Sequence, residues 1–131
     1  MKGYVQDIEK VTKRNQDFRH VLYTGKHLQL VVMSLKPGEE IGEETHKDRD
    51  QFFRVEEGEG QLLIDGKTHE IEDDMAIVVP AGARHNMINT GDKPLKIYTL
   101  YGPPNHADKT VQATKAEAKA STARFTGATT E

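Results

Sequence analysis

"QLLIDGKTHEI", residues 61–71, decides the fold class. Two short runs with strand-forming side chains flank Asp65-Gly66. A DG pair accepts the positive φ angles of a two-residue turn, so the stretch predicts a β-hairpin. Outward from it the same grammar recurs. "HLQLVVMSL" (27–35), "QFFRVEE" (51–57), "MAIVVP" (75–80), "HNMIN" (85–89) and "LKIYTLY" (95–101) are apolar runs separated by Gly, Pro, Asp and Asn. Strand signals about ten residues apart indicate an all-β sandwich or barrel.

The ends of the chain differ. "DIEKVTKRNQDF" has weak helical periodicity and is expected to lead into a first strand, "FRHVLYTG". Residues 107–131 are rich in Ala, Thr and Lys, so a β-barrel domain is expected over 1–106, followed by a polar tail. Ala, Glu and Lys favour helix, which predicts a short one within 115–124 and disorder from Thr126 onward.

Bulk properties exclude several classes. The chain has 131 residues, a net charge of −3 and no cysteine, so disulfides, thiolate ligands and a cysteine nucleophile are ruled out. No basic stripe suggests nucleic acid, and no apolar run approaches the roughly 18 residues of a membrane span. The N-terminus lacks the apolar core of a signal peptide, and a cytoplasmic protein is expected.

Candidate chemistry lies in "EETHKDRDQFF" (43–53) and "PAGARHNMIN" (80–89). Alternation along a strand sends Glu44 and His46 to one face, with Gln51 opening the next run. If 42–46 lies beside 51–55, the three converge. His85 follows a Pro80-x-Gly82 turn, whose rigid backbone suits a preorganised ligand. Asp50 is expected to point away.

These residues resemble the cupin superfamily over roughly Leu28 to Tyr101. Against the first family pattern, G(x)5HxH(x)3–4E(x)6G, Gly38 opens the match and Gly58 closes it. Glu44 replaces the first histidine, His46 matches the second, and Gln51 replaces the glutamate. In the second pattern, G(x)5PxG(x)2H(x)3N, Asp74 replaces the first glycine, while Pro80, Gly82, His85 and Asn89 match. The resemblance implies a double-stranded β-helix (a jelly-roll barrel), a homodimer, and a divalent metal on Glu44, His46, Gln51 and His85. One carboxylate is lost at position 51 and one gained at position 44, so the ligand set keeps its formal charge. Two imidazoles with carboxylate and amide oxygens suit Zn, Ni, Co, Fe(II) or Mn. Gln51 serves either as a weak ligand or as a partner to metal-bound water.

Three functions compete. A Lewis-acid enzyme of the sugar or sugar-phosphate isomerase type would use Glu44 as the catalytic proton shuttle. An Fe(II)-dependent dioxygenase would use two histidines and a carboxylate. A non-catalytic module would only bind a small ligand or metal. No Lys/Arg cluster stands out for a phosphate, although Arg54 and Arg84 are candidates for an anionic substrate. His20, His27 and His69 are expected half-exposed in strands, and His106 in a surface loop. Tyr98 and Tyr101 are expected to pack. Phe53, Val55, Leu62, Ile64, Ile77, Val79 and Ile97 are assigned to the core.

Overall fold

A computed structural model describes all residues from Met1 to Glu131. A helix α1 (Ile8–Arg14) precedes β1 (Arg19–Thr24), β2 (Gln29–Leu35), β3 (Glu44–Thr45), β4 (Asp50–Glu57) and β5 (Gly60–Ile64). Then follow β6 (Lys67–Ile71), β7 (Ala76–Val79), β8 (Arg84–Ile88), β9 (Leu95–Gly102), β10 (Val111–Gln112) and a helix α2 (Lys115–Ala120). The strands form a six-stranded sheet, β10-β1-β2-β9-β4-β7, and a four-stranded sheet, β3-β8-β5-β6. All pairings are antiparallel. This is the jelly-roll that the strand spacing and the resemblance predict.

The 61–71 hairpin forms as read. Ile64 pairs with Lys67, and Asp65 and Gly66 take φ of 46° and 81°. Side chains alternating inward from both sheets build one core around Phe53, Leu35, Leu62, Met33, Met87 and Ile97. Each such side chain, fully buried, contributes about 1.5–3 kcal/mol. Of the residues assigned to the core, Ile64 alone is only partly buried; it packs against the cluster from the rim.

Departures from the family pattern have local causes. Asp74 holds a φ of 71° where the pattern has glycine, and aspartate tolerates that left-handed region better than most residues. Gly58 cannot be replaced so easily: at φ 109°, an added Cβ would lie 2.9 Å from the Pro94 carbonyl oxygen. Asn89, fully buried, donates to the carbonyls of Leu35 and Lys93 and accepts from the Gly91 N–H. It pins the turn between β8 and β9 and faces no ligand.

The opening segment leads into the first strand as expected, its weak helical periodicity realised as a short helix, whereas the C-terminal end corrects the sequence reading. The opening segment forms α1, because Asp7 caps it by accepting from the Lys10 N–H and buried Thr12 anchors it. The tail is not a separate appendage after residue 106. Its β10 pairs with β1, placing Arg19 opposite Gln112. Residues 126–131, expected to be disordered, run back along β1. The Thr130 N–H donates to the Thr24 carbonyl at 2.9 Å, and the Tyr23 hydroxyl donates to the Glu131 carboxylate at 2.6 Å. Composition signalled disorder there because the segment buries few apolar groups; one backbone hydrogen bond and the side chains of Thr130 and Glu131 hold it instead.

Candidate metal centre

The ligand candidates converge, but by a different route from the one the sequence suggested. β3 does not pair with β4; it pairs with β8, and Glu44 stands directly opposite His85. Gln51 comes from the facing sheet, where it lies between Val79 and Tyr101. His46 follows β3 and reaches back, its Nε2 3.1 Å from Glu44 Oε2. A backbone hydrogen bond of 2.7 Å from Gly82 to the His46 carbonyl ties the two ligand-bearing turns together. One ligand atom from each of Glu44, His46 and His85 lies within 4.8 Å of the others.

Gln51 belongs to the same cluster. It is 3% exposed, and its Oε1 lies 3.2 Å from His85 Nε2. Its orientation follows from a relay. The Thr99 hydroxyl donates to the Phe52 carbonyl at 2.8 Å, so its oxygen accepts from Gln51 Nε2 at 3.0 Å. The amide oxygen is thereby turned toward the histidine.

His85 faces acceptors on both sides. Its Nδ1 is 3.1 Å from the Ala83 carbonyl, which can only accept. A neutral imidazole then carries its hydrogen on Nδ1 and presents the Nε2 lone pair to the Gln51 oxygen. In that tautomer the two acceptors face each other, and a cation bound to both would relieve their repulsion. A carbonyl that fixes the tautomer of a histidine is the usual outer support of a metal ligand.

Glu44 stays ionised. Burial pushes its carboxyl up, but the hydrogen bond with His46 and the fields of His46, Arg19 and His85 outweigh burial and hold it below the usual carboxylate range. Asp50 is turned away as expected, accepting from the Ala81 N–H at 2.8 Å and so bracing the Pro80–Gly82 turn.

Several residues near the centre carried no sequence signal. A cavity of about 430 Å³ opens over Glu44 and His46, with Arg19, His106, Lys119 and Arg124 among its walls. His106 is not in a surface loop. It is 9% exposed, packs edge-to-face on Tyr101 with ring centroids 5.1 Å apart, and has its Nε2 3.2 Å from the Tyr101 hydroxyl. Burial, aided by the positive field of Arg19 and Arg124, pushes its pKa down to about 3. Tyr101 is itself 1% exposed and meets the His46 ring at 5.8 Å, so it backs the site as well as packing. Burial pushes its phenol well above the ordinary value.

The remaining candidates lie elsewhere. Arg54 pairs with Asp74 at 3.1 Å and Arg84 with Glu43 at 3.4 Å, so neither serves the cavity. His20 is half-buried in β1, His69 exposed in β6, and His27 exposed in a bend rather than in a strand.

Residues 31–101 match the Cupin domain family. YrkC of Bacillus subtilis (strain 168) is 50% identical over 126 residues, covering 91% of this chain and 67% of that protein. The crystal structure of BH2720 from Bacillus halodurans superimposes with a TM-score of 0.90 at 48% identity, covering 92% of this chain and 96% of that one. The mannose-1-phosphate guanylyltransferase ManC of Salmonella typhimurium is 26% identical over 110 residues, covering 71% of this chain but 23% of that protein.

Proposed function

The chain belongs to the cupin family, and on that premise we propose that it binds a divalent metal through Glu44, His46, Gln51 and His85 and acts as a Lewis-acid enzyme on a small oxygenated molecule. The observation that carries this is the convergence of Glu44, His46 and His85 within 4.8 Å, with Gln51 Oε1 3.2 Å from His85 Nε2. Glu44 adds the negative charge a divalent cation needs. Zn, Ni, Co, Fe(II) and Mn all suit these donors.

When bound, the metal would polarise a substrate carbonyl or hydroxyl oxygen. The chain supplies the rest. His46 and Glu44 present their heads to the cavity, whereas Gln51 and His85 are buried beneath it. Where His46, Gln51 and His85 hold the metal and Glu44 is left unligated, its carboxylate at the cavity wall would accept a proton from a carbon beside the polarised oxygen and return it to the neighbouring carbon. Aldose–ketose isomerisation needs that carbon-to-carbon transfer and, with it, a second proton passing from the neighbouring hydroxyl oxygen to the carbonyl oxygen, which water can carry. Similarity to part of a mannose-1-phosphate guanylyltransferase supports a sugar or sugar phosphate as the substrate class.

Elemental mass spectrometry tests the metal. Near-stoichiometric metal in the wild type, lost in the His46→Ala, His85→Ala double variant, is expected. A wild type that stays empty after incubation with each of the five ions overturns the assignment. Isomerase activity is then sought with the loaded protein under anaerobic conditions.

One feature favours a second reading. Two histidines and one carboxylate within 4.8 Å are also the donor set of Fe(II) oxygenases. Oxygen consumption that requires iron would select it over the isomerase.

The homodimer and the cytoplasmic location belong to the same proposal. Val78, 65% exposed on the outer strand β7, gives the homodimer a site for association, and light scattering in solution tests it. No helix of this chain is long and apolar enough to cross a membrane.

A further inference from the structure

Arg19 is a buried charged side chain at the cavity that the metal reading does not use. It is 6% exposed, yet it lines the cavity. Its Nη1 donates to Gln112 Oε1 at 2.9 Å, while its buried Nε–H has no acceptor in the protein. A buried donor left without a partner costs about 1–3 kcal/mol, more when charged, and such a group calls for an explanation.

The tail adds charge of the same sign. Lys119, in α2, and Arg124, just beyond it, line the same cavity. Glu44 is the one carboxylate among the lining residues, against the three cations Arg19, Lys119 and Arg124. Even with Glu44 ionised and free of metal, the cations outnumber it and leave an excess of positive charge along the walls. At about 430 Å³ the space suits a metabolite and not a polymer. A planar guanidinium recognises carboxylate and phosphate groups through paired hydrogen bonds.

We infer that Arg19, Lys119 and Arg124 form an anion subsite over the metal centre, and that the molecule handled here is a small metabolite carrying a carboxylate or phosphate group. The cations hold that group while another of its oxygens reaches the Glu44–His46 end of the cavity. The tail is therefore a wall of the substrate site. The inference rests on the metal reading only for which end of the ligand reacts; anion capture needs no metal.

Titration calorimetry on metal-free protein tests it, with inorganic phosphate and acetate as separate probes at constant ionic strength set by sodium chloride. Saturable binding of at least one probe is expected. It should weaken about tenfold or more in Arg19→Gln and in Arg124→Gln, the loss expected for one charge-assisted hydrogen bond. His69→Ala, exposed in β6 and not a wall of the cavity, should bind the anion as the wild type does. Tighter phosphate binding assigns a phosphate ester, and tighter acetate binding assigns a carboxylic acid. Arg19→Gln risks misfolding because Arg19 is buried, but Arg124 is exposed and its variant decides alone. Absence of saturable binding, or binding undiminished in Arg124→Gln, overturns the subsite. Arginine-dependent anion binding in a protein that takes up no metal would leave the subsite standing and remove the metal centre.

Discussion

The side chain of Gln29 holds the backbone of His106 from both sides. Its Oε1 accepts from the His106 N–H at 2.9 Å and its Nε2 donates to the His106 carbonyl at 2.8 Å. The same amide accepts from the Asn105 N–H at 3.1 Å and donates to the Thr24 hydroxyl at 3.0 Å. A fully buried polar side chain in β2 thus fixes the segment that leaves β9, and with it the imidazole that covers Tyr101.

Gln29→Leu should therefore cost more than its similar size suggests. It leaves the N–H groups of Asn105 and His106 and the His106 carbonyl without their partner, at about 1–3 kcal/mol per buried group. A loss of about 3–5 kcal/mol in urea unfolding is expected. A loss under about 1 kcal/mol would show that water replaces the amide without penalty.

His106 should make the protein acid-sensitive. Its folded pKa of about 3 lies below the ordinary 6.5, so the unfolded chain takes up the proton first as pH falls. The stability from neutral burial is complete above about pH 6.5 and is lost on descending toward about pH 3. Between about pH 6 and 4, wild type should lose about 1.4 kcal/mol per pH unit more than His106→Asn, both metal-free. Parallel stability curves for the two proteins would contradict this.

Gln51→Glu should act with opposite signs in the two forms. Without metal, a carboxylate enters a position that is 3% exposed, close to ionised Glu44, and the melting temperature should fall. With metal, the added charge should tighten binding by about tenfold or more, since charge count tunes such sites. Competition against a chromophoric chelator measures the second effect. A uniform loss in both forms would mean that Gln51 faces no cation.

Thr99→Val tests the relay at nearly constant volume. It removes the acceptor that turns the Gln51 amide. Outer-shell changes of this kind weaken metal affinity about 10–100-fold. Full affinity in the variant would show that the amide orients itself.

What the sequence made legible follows from the range over which each signal acts. Strands announced themselves because alternation and turn residues are local, as at Asp65-Gly66. Glu44, His46, Gln51 and His85 were legible as a set through their match to the two family patterns, while alternation alone said only that Glu44 and His46 share a face. The pairing of Glu44 with His85 was not legible, because it depends on which sheet β3 joins. Arg19, His106 and Arg124 lie on β1, on the segment after β9 and on the tail, and only the closed topology brings them to one cavity. Their individual contexts look like those of solvated residues. Helix α1 registered only as a weak periodicity, because seven residues with one buried threonine give a short apolar face.

The 2.7 Å hydrogen bond between Gly82 and the His46 carbonyl sets a length as well as a link. It holds the turn before His85 at a fixed separation from the turn that carries His46. If the proposed metal binds, an ion whose bonds to oxygen run about 2.3–2.6 Å, as those of calcium do, would need more room between these two turns than one that bonds at about 2.0–2.2 Å, as zinc does.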